Sequence, residues 1–241
     1  MQEASKSSVL DFLFYYYNRR LLKKHFYQLL YREAEAVPSG PVLFYANHSN
    51  WWDGLVLHYI NRAHFKKNAF AMIDEEGLRQ FPFFRRLGAF SIDRSSGRHM
   101  LRSLQYAKGK LQGNNAVWIF PQGKEEHLEK RPLAFSSGIA RIISGNEQIP
   151  IIPVSLYYSY FHKQTPYLFI ETGKPFYLDS GTSGSSYPEI TAHLEHRLTS
   201  QLDRLAADVV EEKQLDSFVS LLKGKSTVSE SFQKTFGRSR Q

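Results

Sequence analysis

His48 and Asp53 lie five positions apart, directly after an apolar run, Val42-Leu43-Phe44-Tyr45-Ala46. A histidine leaving the end of a buried strand can take a proton from a hydroxyl. It does so when a carboxylate holds its other ring nitrogen and stabilises the imidazolium. Asp53 opens a helical stretch, Gly54 to Ile60, from which its oxygen can reach back to the imidazole. A plainer reading is open at the same residues: His48 as a turn histidine and Asp53 as the N-cap of the next helix, a position aspartate favours. The pair alone does not decide between them.

The elements that must position such a pair follow from the apolar pattern. Residues 9–32 carry Val9, Leu10, Phe12, Leu13, Phe14, Tyr16, Tyr17, Leu21, Leu22, Phe26, Leu29 and Leu30 at spacings that predict one amphipathic helix. Pro38-Ser39-Gly40-Pro41 interrupts the chain, and a strand is predicted over 41–46. A helix from Asp53 to about His64 follows, then strands at 69–73 and 87–92. A helix over 97–112 and a strand over 116–120, ended by Pro121-Gln122-Gly123, come next. A helix near 136–144 leads to the apolar run 149–156, and a strand is predicted at 167–176. Ser180-Gly181-Thr182-Ser183-Gly184-Ser185-Ser186 reads as a linker, before a helix from Pro188 to about Lys213. Strands alternating with helices predict an α/β domain with a mixed, largely parallel sheet flanked by helices. The boundaries are an N-terminal amphipathic helical segment over 1–37, the domain over 38–213, and a frayed tail over 214–241.

Composition narrows the chemistry. A formal net charge of +8 suits an anionic partner: nucleic acid, an anionic bilayer or an acidic carrier protein. Cysteine is absent, which excludes disulfides, thiolate catalysis and cysteine-ligated zinc. The remaining histidines lack metal-ligand spacing, so no metal site is expected. No run approaches the roughly 18–20 apolar residues that span a bilayer, and Met1–Ser8 does not read as the start of a signal peptide. Residues 1–32 hold six Lys/Arg against Glu3 and Asp11. A basic, aromatic-rich amphipathic helix suits an interfacial membrane position; its alternative is to pack its apolar face on the domain. The expected location is peripheral, on the cytoplasmic face of a membrane.

Four blocks in one order carry a family resemblance: Asn47-His48-(x4)-Asp53, Gly88-Ala89-Phe90-Ser91-Ile92-Asp93-Arg94, Phe120-Pro121-Gln122-Gly123-Lys124-Glu125 and Ile152-Pro153-Val154. The set resembles the glycerolipid acyltransferases, the lysophosphatidic acid acyltransferase-like family, over roughly residues 40–175. Phe135-Ser136-Ser137-Gly138 is similar to a further element of that family. The resemblance implies that His48 is the general base for an acceptor hydroxyl and that Asp53 stabilises the charged imidazole. The hydroxyl oxygen then attacks an acyl thioester, with acyl-CoA or acyl-carrier protein as co-substrate and no cofactor. Arg94, Gly88, Phe120, Pro121, Gln122, Gly123 and Lys124 are the implied substrate-binding residues, with a backbone N–H near the Phe120–Gly123 turn facing the tetrahedral oxyanion. For several of these a structural role is the alternative: a surface ion pair for Arg94, ordinary turns for Gly88 and Gly123, a strand exit for Pro121.

The chain departs from the family pattern in its third block. Gln122 stands where the family has Glu, Glu125 where it has Arg, and Ser136 where it has Lys. An anion in place of an arginine opposes a phosphate-bearing acceptor, although Lys124, Arg94 and Arg131 remain. The implied acceptor is a lysophospholipid with its phosphate placed elsewhere, or a non-phosphorylated lipid such as a glycosylated lipid or carotenoid. A catalytically silent lipid- or carrier-binding module on the same scaffold is the second reading. A nucleic-acid binder is allowed by charge, but no recognisable binding motif accompanies it.

Overall fold

A strand buried on both faces needs helices above and below it, because successive side chains point to opposite sides. The computed structural model, which describes residues 1–94, 96–178 and 185–225, builds this arrangement. Its strands are β1 (Gln28–Glu33), β2 (Val42–Ala46), β3 (Ala69–Asp74), β4 (Ala89–Ile92), β5 (Ala116–Ile119), β6 (Ile151–Ser159), β7 (Tyr167–Thr172) and β8 (Val219–Lys223). Among the described residues they form one sheet in the order β4-β3-β5-β2-β6-β7-β1-β8. The β6–β7 and β1–β8 pairings are antiparallel, and every other neighbouring pair is parallel. The mixed, largely parallel sheet expected from the sequence is therefore present.

The pleat divides the core in two. Leu43, Tyr45, Val117, Ile119 and Ile151 face α5 (Gly97–Gln112), α6 (Gly138–Ile143) and α7 (Tyr187–Val210). Val42, Phe44, Trp118, Ile152 and Val154 face α2 (Asp53–Ile60) and the last turns of α1 (Ser8–His25). Phe44 and Trp118, neighbours across β2 and β5, stack with centroids 4.1 Å apart. A π-helical turn, Asn61–Phe65, prolongs α2. Two short helices, α3 (Glu75–Gln80) and α4 (Phe84–Leu87), stand between β3 and β4 and take Leu87 out of the expected strand.

Two boundaries are corrected. The helix expected over 9–32 stops at His25, and Phe26 has extended backbone. Residues 28–33 instead pair in parallel with β7, and Leu29 and Tyr31 enter the core. Ladder hydrogen bonds and burial outweigh the local helical spacing of Leu29 and Leu30. Arg32 locks this pairing through Glu171 of β7 and Asp208 of α7 (2.5 and 2.8 Å). The segment 1–37 thus contributes a strand to the domain. At the other end, Leu215–Ser217 forms a 3-10 turn and β8 pairs with β1, burying Leu222. The domain therefore runs past 213 to at least Lys223. Most of the Ser/Gly linker and residues 226–241 lie outside the described residues.

Helix α1 is turned the other way from an ordinary surface helix. Asp11, Asn18 and Leu22 point inward, while Val9, Leu10, Phe12, Leu13, Tyr16 and Tyr17 are exposed. Its contact with α2 and the turn after it combines ring packing, Phe14 on His58 and Tyr15 on Tyr59, with polar contacts: Asp11 Oδ1 lies 2.9 Å from His58 Nε2 and Oδ2 lies 3.3 Å from Arg62 Nε. Asn18 donates to the Leu55 carbonyl at 2.7 Å. Burial pushes the Asp11 carboxyl up, but the His58 hydrogen bond and the charges of His58, Arg62 and Lys6 outweigh it and hold it below the usual range. A depressed carboxyl stabilises the fold above its unfolded value, and that contribution is lost as pH falls through the folded value. Asp11→Ala is expected to cost about 1–3 kcal/mol at neutral pH, read from the urea midpoint. The gap to the native protein should close in acid.

Candidate active site

Ligand crevices in α/β sheets open beyond the carboxyl ends of parallel strands, where helices leave neighbouring strands on opposite faces. β2 and β5 meet that condition: β2 leads into α2 on one face, and the chain after β5 reaches α6 on the other. His48 follows β2, and Phe120 to Glu126 follow β5.

The imidazole and carboxylate meet as the sequence suggests. His48 Nδ1 lies 2.9 Å from Asp53 Oδ2, and Asp53 is fully buried. Oδ2 also accepts from the Ser49 and Asn50 backbone N–H groups (2.7 and 2.9 Å), and Oδ1 accepts from the Tyr158 hydroxyl (2.5 Å). With three unambiguous donors around it the carboxylate works as an acceptor, so Nδ1 donates to it, and Nε2 is the nitrogen that carries the lone pair in the neutral ring. The N-cap alternative fails on the same geometry. The capping position belongs to Trp52, with no side-chain cap bond, and Asp53 binds residues that precede the helix.

The loop after β5 fixes His48 from the other side. The Phe120 ring stacks on the imidazole, centroids 4.2 Å apart and planes 16° from parallel. His48 N–H donates to Gln122 Oε1 at 2.6 Å, and the His48 carbonyl accepts from Glu126 N–H at 3.0 Å. The Pro121 carbonyl accepts from Ser136 N–H and Oγ–H (2.9 and 3.1 Å), which anchors the loop to the segment before α6. Gly123 has φ +73°, and a Cβ there would meet the Arg94 guanidinium at 2.0 Å. Arg94 donates to the Gly123 carbonyl at 3.0 Å. The Gly123 N–H closes the turn onto the Phe120 carbonyl, so that donor is already engaged.

Two expected residues lie elsewhere. Gly88 caps α4 with φ +107° and precedes β4, at the end of the strand opposite Arg94; a Cβ would meet the Ala69 carbonyl at 2.7 Å. The close approach of the Ala69 backbone accounts for a glycine at this position. Lys124 points to solvent, 72% exposed, with its ammonium 2.8 Å from Glu126. Glu125 Oε1 stands 4.0 Å from His48 Nε2, at the mouth of the site. Arg131 is held by Asp203 at 2.5 Å. Trp52 packs on Phe26, whereas Trp51 is exposed.

Sequence reasoning quoted Asn47 in the first block without a role and missed Tyr158. Asn47 is buried and clamps β2 to β6, donating to the Leu156 carbonyl (2.9 Å) and accepting from its N–H (2.8 Å). Tyr158, two residues further along β6, reaches Asp53. The signal for both was the parallel register, Ala46 opposite Val154, which places 156–158 beside 48 once β6 is known to flank β2.

The arrangement sets an imidazole against a buried carboxylate on a three-layer α/β scaffold, a geometry with the parts that proton removal from a hydroxyl requires. The family model described as Acyltransferase matches residues 28–157, more than half of the chain. No curated relative matches the sequence. The crystal structure of the 1-acyl-sn-glycerophosphate (LPA) acyltransferase PlsC from Thermotoga maritima is similar in fold. It has a TM-score of 0.63 and 19% identity, over 82% of this chain and 80% of that one. The chain belongs to the Acyltransferase family and is an acyltransferase.

Proposed function

We propose that the protein moves a fatty acyl group from a thioester, acyl-CoA or acyl-carrier protein, to a lipid hydroxyl. The observation that carries this is the His48–Asp53 pair, with Nδ1 2.9 Å from the buried carboxylate and Nε2 on the side of Glu125, 4.0 Å away. His48 Nε2 takes the acceptor proton as the oxygen attacks the thioester carbonyl. Asp53 stabilises the imidazolium, and collapse of the tetrahedral intermediate expels the thiolate, which recovers a proton as the free thiol. The products are the ester and CoA–SH or carrier–SH.

The acceptor side favours a hydroxyl without an adjacent phosphate monoester. Glu125 borders Nε2, Lys124 is turned to Glu126 and Arg131 to Asp203, which leaves Arg94 as the nearby cation without a carboxylate partner of its own among those candidates. A lysophospholipid with its phosphate further away fits, as does a glycosylated lipid or carotenoid. The test is thiol release with long-chain acyl-CoA and acyl-carrier protein, against lysophosphatidic acid, other lysophospholipids and glycosylated lipids. Acceptor-dependent release supports the reading. Lipid binding with no release from any donor and acceptor favours the silent lipid- or carrier-binding module.

The membrane partner is part of the same proposal: a peripheral protein on the cytoplasmic face, held on anionic lipid. None of the described helices is long and apolar enough to cross a bilayer. The outward aromatic face of α1, flanked by exposed Arg19, Arg20 and Lys24 and by Trp51, Phe81 and Phe83, supports an interfacial position. Leu13→Glu with Tyr17→Glu is expected to abolish cosedimentation with anionic vesicles while leaving the thermal midpoint within about 2 °C. Retained sedimentation would place the lipid contact elsewhere.

A further inference from the structure

A buried carboxylate is tolerated when its lone pairs are occupied. Asp53 has all three of its other partners on Oδ2, namely His48, Ser49 and Asn50. Among the described residues Oδ1 has Tyr158 alone, at 2.5 Å. Tyr158 comes from β6, so the strand beside β2 reaches under the dyad and grips it from below, and its ring is held in turn against Phe26 (centroids 6.1 Å). Burial first, and then the Asp53 and Glu125 carboxylates, push the phenol well above its ordinary value. The hydroxyl therefore stays protonated, a permanent donor.

We propose that Tyr158 is a positioning residue for acyl transfer: its O–H, fixed on Asp53 Oδ1, sets the carboxylate plane so that Oδ2 faces His48 Nδ1. The proposal rests on the reading of His48 as the base. Without that O–H the carboxylate would be held through Oδ2 only, with Oδ1 a buried acceptor lacking a donor, and the group would shift to satisfy it at the expense of its alignment on Nδ1. A misaligned orienter lets the imidazole drift, and small displacements of a catalytic group lower turnover steeply. Among the described residues Glu125 is the other carboxylate beside this pair, 4.0 Å from Nε2 on the opposite side of the ring from Asp53. It cannot replace the grip on Oδ1.

Tyr158→Phe keeps the ring and removes the hydroxyl. The experiment measures kcat, KM for acyl-CoA and thermal midpoint in a cycle of Tyr158→Phe, Asp53→Asn and the double variant, with His48→Ala alongside. Tyr158→Phe is expected to lower kcat roughly 10- to 100-fold, with KM for acyl-CoA within about twofold. Because the tyrosine acts through Asp53, adding it to Asp53→Asn should lower kcat little further. A generally weakened fold would instead multiply the two penalties, and that result would overturn the proposal. Turnover that needs His48 but is unchanged in Tyr158→Phe overturns the positioning role alone. Turnover that survives His48→Ala overturns the base, and the positioning role with it.

Discussion

His48→Ala is expected to lower turnover by roughly 10²–10⁴-fold, the range a positioned general base supplies, with the thermal midpoint almost unmoved. The two halves of this expectation have different origins. The imidazole side chain is 20% exposed and stacks on a single ring, that of Phe120, so its removal leaves no sealed cavity. The contacts that hold the loop in place run through the His48 backbone, to Gln122 and Glu126, and alanine keeps both. The fold should survive while proton removal does not. Thiol release under saturating acyl-CoA, with circular dichroism melts on the same preparations, measures both. A variant that retains full activity would mean that another group removes the proton.

The second large effect concerns choice of acceptor. Gln122→Glu together with Glu125→Arg is expected to raise the ratio of kcat/KM for lysophosphatidic acid over a non-phosphorylated acceptor by about 10- to 100-fold. That corresponds to roughly 1.4–2.8 kcal/mol, the worth of one charge-assisted hydrogen bond. Glutamate at 122 keeps an acceptor oxygen for the His48 N–H, so the loop geometry is retained. Arginine at 125 would place a guanidinium where a carboxylate now stands 4.0 Å from Nε2. Attraction then replaces repulsion at the position a phosphate next to the reacting hydroxyl would occupy. Competition between the two acceptors in one vesicle preparation reads the ratio directly. An unchanged ratio would show that Glu125 does not face the acceptor.

Much of this site is legible in the sequence because its chemistry is carried by residue types that apolar runs cannot disguise. His48 and Asp53 stand out against β2, and the Phe120–Gln122 turn stands out against β5; the structure joins them. What the sequence hides is the company each keeps. Gln122 looked like a departure in the acceptor site, yet its side chain holds the backbone of His48. Ser136 looked like a missing lysine, yet it ties down the Pro121 carbonyl. Both are short-range hydrogen bonds between segments far apart in sequence, and no local pattern announces them. Strands β1 and β8 were missed for a related reason. Leu29 and Leu30 continue the helical spacing of α1, and β8 buries Leu222 alone among its five residues. In each case pairing with a distant strand, and not local preference, decides the conformation. The inward turn of Asp11 and Asn18 was equally hidden, since their partners on α2 lie far along the chain.

The placement of β1 also governs when the molecule can come together. Arg32 and Glu171, which face each other across β1 and β7, are 139 positions apart, and the outer neighbour of β1 begins only at Val219. During synthesis the early strand therefore waits, with Leu29 and Tyr31 unburied, until almost the whole domain has been made. Closing so long a loop is slow, because its entropy must be lost before the contacts repay it. A nascent chain in this state carries an open strand edge and unburied aromatics, the surfaces through which unfinished chains associate with one another. Helpers that hold nascent chains apart matter more here than for a domain whose neighbours in space are neighbours in sequence. A chain that ends before Val219 never closes that edge at all.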